Sequence, residues 1–420
     1  MRDGDHNRLP DEEITTSDSG IRYLRAQDLK EGTIIADEPV FITERYFATV
    51  SRSHIRPGYL LFSIMASVGN SAVVPEGFPR ATANRAVGIL VPKHEDPSLT
   101  WYLFYLFSTE FGTELYTRIK KGGLQQRTNL ADVEMLEFPL PPETKRTELV
   151  AAMDAAREQR RAKMAEADAL LAGLDDYLLA TLKLTPPPKD DRKVFAVQHA
   201  MIPNRFDPHF YSPELMRNQR MLAEAGAETL GSQISFSTEI WKPETHDEPV
   251  FRYIEISSVS PQTGEAVAEE TAVAEAPSRA RMMVRTGDII VSLTRPHHGS
   301  IAQITPELDG CIASTGFAVL RNVGKQLDRD YLWCILRSSI CLKQMQQRAS
   351  GGNYPAITEH ELANVAIPVP PIPVQTAIAA ESRRRRETAR TLRAEADSLW
   401  HSAKQEFERQ LLGSRSIASQ

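Results

Sequence analysis

Four short runs hold the side chains best suited to chemistry. They are Ser67-Val68-Gly69-Asn70; Lys120-Lys121 with Gln125-Gln126-Arg127 beyond Gly122-Gly123; Thr294-Arg295 with His297-His298; and Arg348 with Asn353-Tyr354 beyond Gly351-Gly352. All are hydrogen-bonding or cationic groups in stretches broken by Gly or Pro, which read as loops, and recognition residues concentrate on loops carried by a rigid scaffold. Bond-making chemistry is poorly served. His297-His298 lacks the nearby Cys or carboxylates of a zinc site, and Cys311, Cys334 and Cys341 are odd in number and lack paired spacing. The cysteines read as reduced and buried, or incidental. A methyltransferase needs a Gly-rich cofactor loop after a strand and an Asn-Pro-Pro-aromatic tetrapeptide; Asn353-Tyr354-Pro355-Ala356 echoes the second without the first. There is no Gly-x-x-x-x-Gly-Lys loop, so any ATP-driven motion has to come from a partner. No catalytic residue, cofactor or metal is expected in this chain.

The four runs occupy matching places in an internal repeat. Arg56-Pro57-Gly58-Tyr59-Leu60-Leu61-Phe62-Ser63 aligns with Arg285-Thr286-Gly287-Asp288-Ile289-Ile290-Val291-Ser292 at an offset of 229. Ile21-Arg22-Tyr23-Leu24 matches Phe251-Arg252-Tyr253-Ile254 at 230. Gly122-Gly123 falls on Gly351-Gly352, and Phe138-Pro139-Leu140-Pro141-Pro142 on Ile367-Pro368-Val369-Pro370-Pro371, again at 229. One architecture is therefore present twice. The copies differ most between the landmarks, where Ser67-Val68-Gly69-Asn70 faces Pro296-His297-His298-Gly299. A shared scaffold with divergent loops suggests two related sites with different targets.

Each copy has the same internal order. Short apolar runs such as Tyr59 to Ile64, Ala72 to Val74 and Val87 to Val91 read as strands. Trp101 to Arg118 and Tyr331 to Gln347 carry Leu and aromatic residues at helical spacing, so each reads as a buried helix. After each Pro-Pro pair, which suits the position just before a helix, a polar run of about 40 residues continues without proline, roughly 60 Å of helix. Leu149, Met153, Met164, Leu171, Leu174, Leu178 and Leu182 form a narrow stripe on the first; Val374, Ile378, Leu392, Leu399, Phe407 and Leu411 form one on the second. Such a stripe is marginal alone, and the repeat supplies its partner. A single antiparallel coiled coil is the sharper reading, and two ordinary helices closing their own domains the blander one. Thr185-Pro186-Pro187-Pro188-Lys189-Asp190-Asp191 reads as a connector.

The expected class is α+β: two similar α/β domains separated by two long antiparallel helices. The limits are 1–142 for domain 1, 143–184 for the first long helix, 185–203 for the linker, 204–371 for domain 2, 372–413 for the second long helix and 414–420 for a tail. About 45 residues, Asn204 to Val250, precede the strand at Phe251, against about 20 before Ile21, so the head of domain 1 reads as short. With 41% apolar and 25% charged residues the 420-residue chain can bury more than one core. No stretch reaches the roughly 18 apolar residues of a bilayer crossing, and the first 20 are acidic and polar, so a cytoplasmic protein with no membrane partner is expected. The net charge of −6 does not exclude nucleic acid, because local clustering decides that question.

The order of a recognition module, Gly-Gly, a Pro-x-Pro-Pro junction and a long helix, given twice, resembles the specificity subunit of type I restriction-modification systems. The likeness is densest in Gly122 to Leu130 with Phe138 to Pro142, and in Gly351 to Ile357 with Ile367 to Pro371, where Gln375 completes a Pro-Pro-x-x-x-Gln pattern. Single motifs of this kind are weak; the ordered pair is strong. The resemblance implies a non-catalytic DNA-reading subunit in which each domain reads half of a split double-stranded target and the helices fix the gap. It also implies two modification subunits that use S-adenosylmethionine, and a translocating restriction subunit as an optional further partner.

On that reading, Ser67, Asn70, Gln125, Gln126 and Arg127 in the first domain, and Thr294, Arg295, His297, His298, Asn353 and Tyr354 in the second, are the candidates for base-edge contact in the major groove. Lys120, Lys121 and Arg348 are better suited to phosphates. Arg383-Arg384-Arg385-Arg386 circles the second long helix and reads as a solvated or partner-facing stretch, with DNA-backbone contact as the sharper alternative. Two other functions compete: a coiled-coil adaptor that binds only proteins, and a stand-alone methyltransferase or nuclease. The adaptor leaves the divergent loops unexplained.

Overall fold

Strand pairing repeats along the chain with the spacing of the sequence repeat. The structure, a computed structural model, describes residues 1–420 except 16–19, 31, 37, 66–69, 92–95, 121–127, 129, 191, 193, 199–201, 203–204, 246 and 414–420. It divides into two compact units: residues 1–164 with 393–420, and residues 165–392.

In unit 1 one sheet runs Arg2–Asp3, Val87–Leu90, Leu60–Ser63, Ser71–Val73, all antiparallel. A second runs Ile14–Thr15, Val40–Ile42, Ile21–Leu24, Ala81–Ala83, His54–Ile55, with Ile21–Leu24 and Ala81–Ala83 paired in parallel. Unit 2 repeats both, the second without a strand in the place of Ile14–Thr15. Its first sheet runs Ser235–Phe236, Phe317–Arg321, Ile289–Ser292, Ile301–Gln303, and its second Glu269–Ala272, Val250–Ile254, Ile312–Ser314, Ala280–Met283, with Val250–Ile254 and Ile312–Ser314 in parallel. The central strands Leu60–Ser63 and Ile289–Ser292 are apolar up to a buried terminal serine because both faces are covered. Leu60 and Phe62 enter one core and Leu61 another; Ile289 and Val291 likewise part from Ile290.

The helix expected over Trp101 to Arg118 is broken in two, Pro97–Ser108 and Glu110–Ile119, and that over Tyr331 to Gln347 into Arg329–Leu336 and Ser339–Arg348. The breaks have a local cause. Thr109 and Ser338 are extended, and the Thr109 hydroxyl accepts the amide of Gly112 to start the second helix. A Cβ at Gly112 would collide with the Leu106 carbonyl, so this corner needs glycine.

One bond is common to both Pro-x-Pro-Pro junctions. The buried Tyr102 hydroxyl donates to the Pro139 carbonyl at 2.5 Å, and Tyr331 donates to Pro368 at 2.9 Å. Gln375, fully buried, donates to Pro370 and Gln326 and accepts from the Asp328 amide. Arg146 stands in its place in unit 1, donating to Pro141 and pairing with Asp96 at 2.5 Å.

The long helices span Glu143–Thr181 and Ile372–Leu412. Within unit 1 their ends run antiparallel: Lys145 bonds Gln410, Arg160 pairs with Asp397 and Lys163 with Glu395, over a seam holding Leu149, Met153 and Phe407. Within unit 2 the pattern recurs, with Arg385 donating to the Gly173 carbonyl and Leu178 and Ile378 in one core. Stripe residues are supplemented by fully buried alanines, Ala396 in unit 1 and Ala167 and Ala389 in unit 2 (all ≤1% exposed), which permit close approach.

Unit 2 carries an additional head. Helix Pro213–Glu224 packs on Ser339–Arg348, with Asn218 donating to the Ile340 carbonyl, and Glu228–Thr229 pairs with Ala366–Ile367. Unit 1 enters its first strand at Arg2, and no counterpart of this helix occurs among its described residues. All three cysteines are unpaired and buried, and burial pushes the thiols of Cys334 and Cys341 up to about 11 and about 12. No helix among the described residues is long and apolar enough to cross a membrane.

Candidate nucleic-acid interface

Two loops far apart in the sequence of unit 2 are built into one surface. Ile357 donates its amide to the Leu293 carbonyl, Thr294 bridges Ala356, and Ser350 and Ala356 exchange backbone bonds at 2.8 Å. Thr294, Arg295, His297 and His298 therefore lie beside Asn353 and Tyr354. Arg295 is the centre of the arrangement. Its amide donates to Pro355, its guanidinium donates to the Asn353 carbonyl at 2.9 Å, and its plane covers the Tyr354 ring at 4.6 Å. Its backbone is left-handed, φ 47°, a conformation costly to a non-glycine residue and typical of functional sites.

Tyr354 is 72% exposed, so one ring face meets Arg295 while the rest is open to a ligand. His298 is exposed. His297 is half-buried, with its Nδ1 buried and unpartnered among the described residues. Burial, then the neighbouring His298, Arg295 and His209, hold its imidazole below the usual histidine range. The surface offers a cation, an aromatic face and neutral donors and acceptors, a set suited to base edges and phosphates. Among the described residues no group of three or more His, Cys, Asp or Glu is gathered to hold a metal.

Arg348 is placed differently. Its side chain is 11% exposed and paired with Glu361 at 3.1 Å, so its charge is engaged inside the unit rather than offered to phosphate. The arginine run in the second long helix is also engaged. Arg383 pairs with Asp330, Arg384 and Arg385 with Glu381, Arg385 reaches the Gly173 carbonyl, and Arg386 donates to the Thr263 carbonyl. Arg383 and Arg384 stay mostly exposed in these pairs, as a solvated helix face would be, while Arg385 and Arg386 are half-buried against the rest of the unit.

Unit 1 brings the corresponding segments together by the same bonds. Thr128 donates to the Ile64 carbonyl as Ile357 does to Leu293, and the Ser63 hydroxyl donates to Met65 as Ser292 does to Thr294. Asn70 is exposed, its carbonyl accepting from Ser63, and Lys120 caps helix Glu110–Ile119 half-buried. Ser67, Lys121, Gln125, Gln126 and Arg127 lie outside the described residues.

Sequence reasoning missed the Arg205–Tyr211 segment. Arg205 donates to the carbonyls of Gln347 and Arg348 and covers Phe210 at 4.5 Å, and His209 is near enough to act on His297. The Arg-Phe-Asp-Pro-His-Phe-Tyr string, dense in aromatics beside cations, was the available signal.

The sequence model of the type I restriction modification DNA specificity domain matches residues 5–160 and again 242–380. The chain belongs to this family. It is a DNA sequence-recognition subunit carrying two specificity domains, and its family is one of specificity subunits rather than catalysts. None of the curated proteins compared with the specificity chain matches it. Among solved structures, a chain from work on complex assembly and conformational transition of the type I R-M system is 20% identical, covering 93% of this chain and 90% of that one with a TM-score of 0.50. The likeness is one of fold. The HsdS subunit from Thermoanaerobacter tengcongensis is 19% identical, covering 96% and 93%, with a TM-score of 0.35. The S subunit from M. genitalium is 13% identical, covering 98% and 92%, with a TM-score of 0.41.

Proposed function

We propose that each unit reads one half of a bipartite duplex target, with the long helices setting the interval between the halves. Unit 2 reads through Thr294, Arg295, His297, His298, Asn353 and Tyr354; unit 1 reads through the matching segments that include Ser67, Asn70, Gln125, Gln126 and Arg127, with Lys120 and Lys121 on phosphates. The carrying observation is a scaffold whose strand pairing and loop-closing bonds recur around loops of different composition, Arg295-Pro296-His297-His298 against Ala66-Ser67-Val68-Gly69. A two-part recognition task explains both halves of that observation, and a protein-binding adaptor explains only the first.

The partners on this reading are two modification subunits, which use S-adenosylmethionine and carry the methylation chemistry, with a restriction subunit as an optional further partner in the cytoplasm. The complex-assembly structure of a fold relative supports partnership of this kind. The test is to map methylated positions in the host genome with and without the gene. A split motif that vanishes on deletion and returns on complementation is expected; an unchanged methylation pattern, or a continuous motif, contradicts the proposal. The purified chain alone should neither methylate nor cleave DNA.

A further inference from the structure

A three-part contact recurs in both units at the foot of the recognition domain. In unit 1, Arg157 of the first long helix donates to the Gly32 carbonyl at 3.1 Å and lies over the rings of Trp101 and Phe104 at 5.4 and 5.5 Å. In unit 2, Arg386 of the second long helix donates to the Thr263 carbonyl at 2.7 Å and lies over the Trp333 ring at 4.1 Å. Arg157 and Arg386 are 229 residues apart, and so are Phe104 and Trp333. The loop glycines complete the match. Gly32 and Gly264 both have positive φ, 81° and 65°, and a Cβ on either would collide with the same aromatic ring, Phe104 or Trp333. Left-handed backbone and ring contact together demand glycine at both places.

The clamped loop is in turn tied to the segment that follows the proposed reading loop. In unit 1 the Gly32 amide donates to the Ser71 carbonyl at 3.0 Å, and Ser71 follows Asn70; Gly32, Asn70, Ser71, Phe104 and Arg157 line one cavity of about 310 Å³. In unit 2 the tie is made by Arg337, whose guanidinium also covers Trp333 at 4.9 Å. It donates to the carbonyls of Pro261 and Gln262 on one side and of Gly299 and Ile301 on the other, and Gly299 follows His298. Burial pushes this guanidinium down to about 10, as befits a cation satisfied by carbonyls instead of a carboxylate.

From the retention of this contact in both copies of the repeat we infer that Arg157 and Arg386 are positioning residues for DNA reading: each holds a Gly-aromatic clamp through which a long helix fixes the reading loop of its own unit. The inference rests on the bipartite reading above. Different bonds complete the second tie in the two copies, while the helix arginine, the ring and the glycine recur. A planar guanidinium is required because the group must stack and donate at once, which an ammonium does less well.

The test uses the complex of this chain with its modification subunits, on duplexes carrying the mapped target or a single mismatch in one half. Fidelity is the ratio of methylation rates, cognate over mismatched, measured for each half. Arg386→Met is expected to lower fidelity in the unit 2 half by about five- to tenfold, the low end of what one mismatch costs, and to leave the other half unchanged. Arg157→Met should do the reverse, and Arg386→Lys should restore part of the loss. Unchanged fidelity in both halves, or an equal fall in both, overturns the proposal. Should Arg386→Met not fold, Trp333→Phe supplies the ring found in unit 1 and should keep fidelity, whereas Trp333→Leu should lose it in one half only; equal behaviour of the two is equally fatal. If the wild-type complex fails to discriminate mismatches in either half, the bipartite reading itself has failed, and not the clamp.

Discussion

Unit 1 and unit 2 are alike in the bonds that close their segments and unlike in the loops proposed to meet DNA. Tyr102 and Tyr331 make the same bond to the same proline carbonyl, and Thr128 and Ile357 close the same pair of segments. Around that frame, unit 2 stacks Arg295 on Tyr354, while the matching positions of unit 1 are Ala66 and Gln125. Duplication preserved the bonds that place the loops and released the loops themselves. Recognition can then be changed without refolding the reader, because the loop side chains carry little of the core.

One difference inside the frame tests how far this equivalence goes. Arg146 and Gln375 hold their junctions by different chemistry, an ion pair with Asp96 in one case and three neutral bonds in the other. Arg146→Ala is expected to cost about 1–3 kcal/mol, because Asp96 loses its cation while keeping its bonds from Ser98 and Leu99. Gln375→Ala should cost about 1–3 kcal/mol for its stranded buried groups. Gln375→Arg should recover part of that loss, since Asp328 also caps its helix, three residues further along the repeat than Asp96. Denaturant unfolding measures all three, and a Gln375→Arg chain as weak as Gln375→Ala would show the junctions are not interchangeable.

Tyr102→Phe and Tyr331→Phe should each cost about 1 kcal/mol by the same measurement, leaving a buried carbonyl unpaired. Unequal losses would mean the matching bonds carry different loads. Tyr354→Ala, on an exposed ring, should change stability by no more than about 0.5 kcal/mol while weakening DNA binding, which separates loop from frame.

The smallest effect is one of pH. His297 is held below the ordinary histidine range by burial first, so the folded state prefers the neutral ring. Its contribution to stability is present above that range and is lost as pH falls through the lowered value. Phosphates favour the imidazolium, so DNA binding by unit 2 should strengthen over the same fall in pH. Comparing wild type with His297→Gln by DNA titration at several pH values isolates the term; identical pH slopes would remove His297 from the interface.

Much of this could be read from the chain before any fold was known. The 229-residue offset fixed which segments correspond, and the Pro-Pro pairs marked where the long helices begin, because proline is excluded from helix interiors. The broken helices could not be read that way. Apolar spacing runs on through Ser108 and Thr109, and only the close approach at Gly112 shows a corner. Arg348 looked available for phosphate, and the Arg383 to Arg386 run for solvent or a partner, because their partners, Glu361, Asp330 and the Thr263 carbonyl, are supplied by other segments of the fold. The arginine and the ring of the clamp lay at the repeat offset, with the glycines three residues off it, yet without geometry nothing distinguished its arginines from surface charge.

The most direct test is a substitution in one reading loop scored against both halves of the target. With Arg295→Ala in the assembled complex, methylation of duplexes randomised at one half at a time should show relaxed base preference in a single half, by about 1–3 kcal/mol at the affected positions, and unaltered preference in the other. Equal relaxation of both halves, or none in either, would contradict the account of two separately reading units.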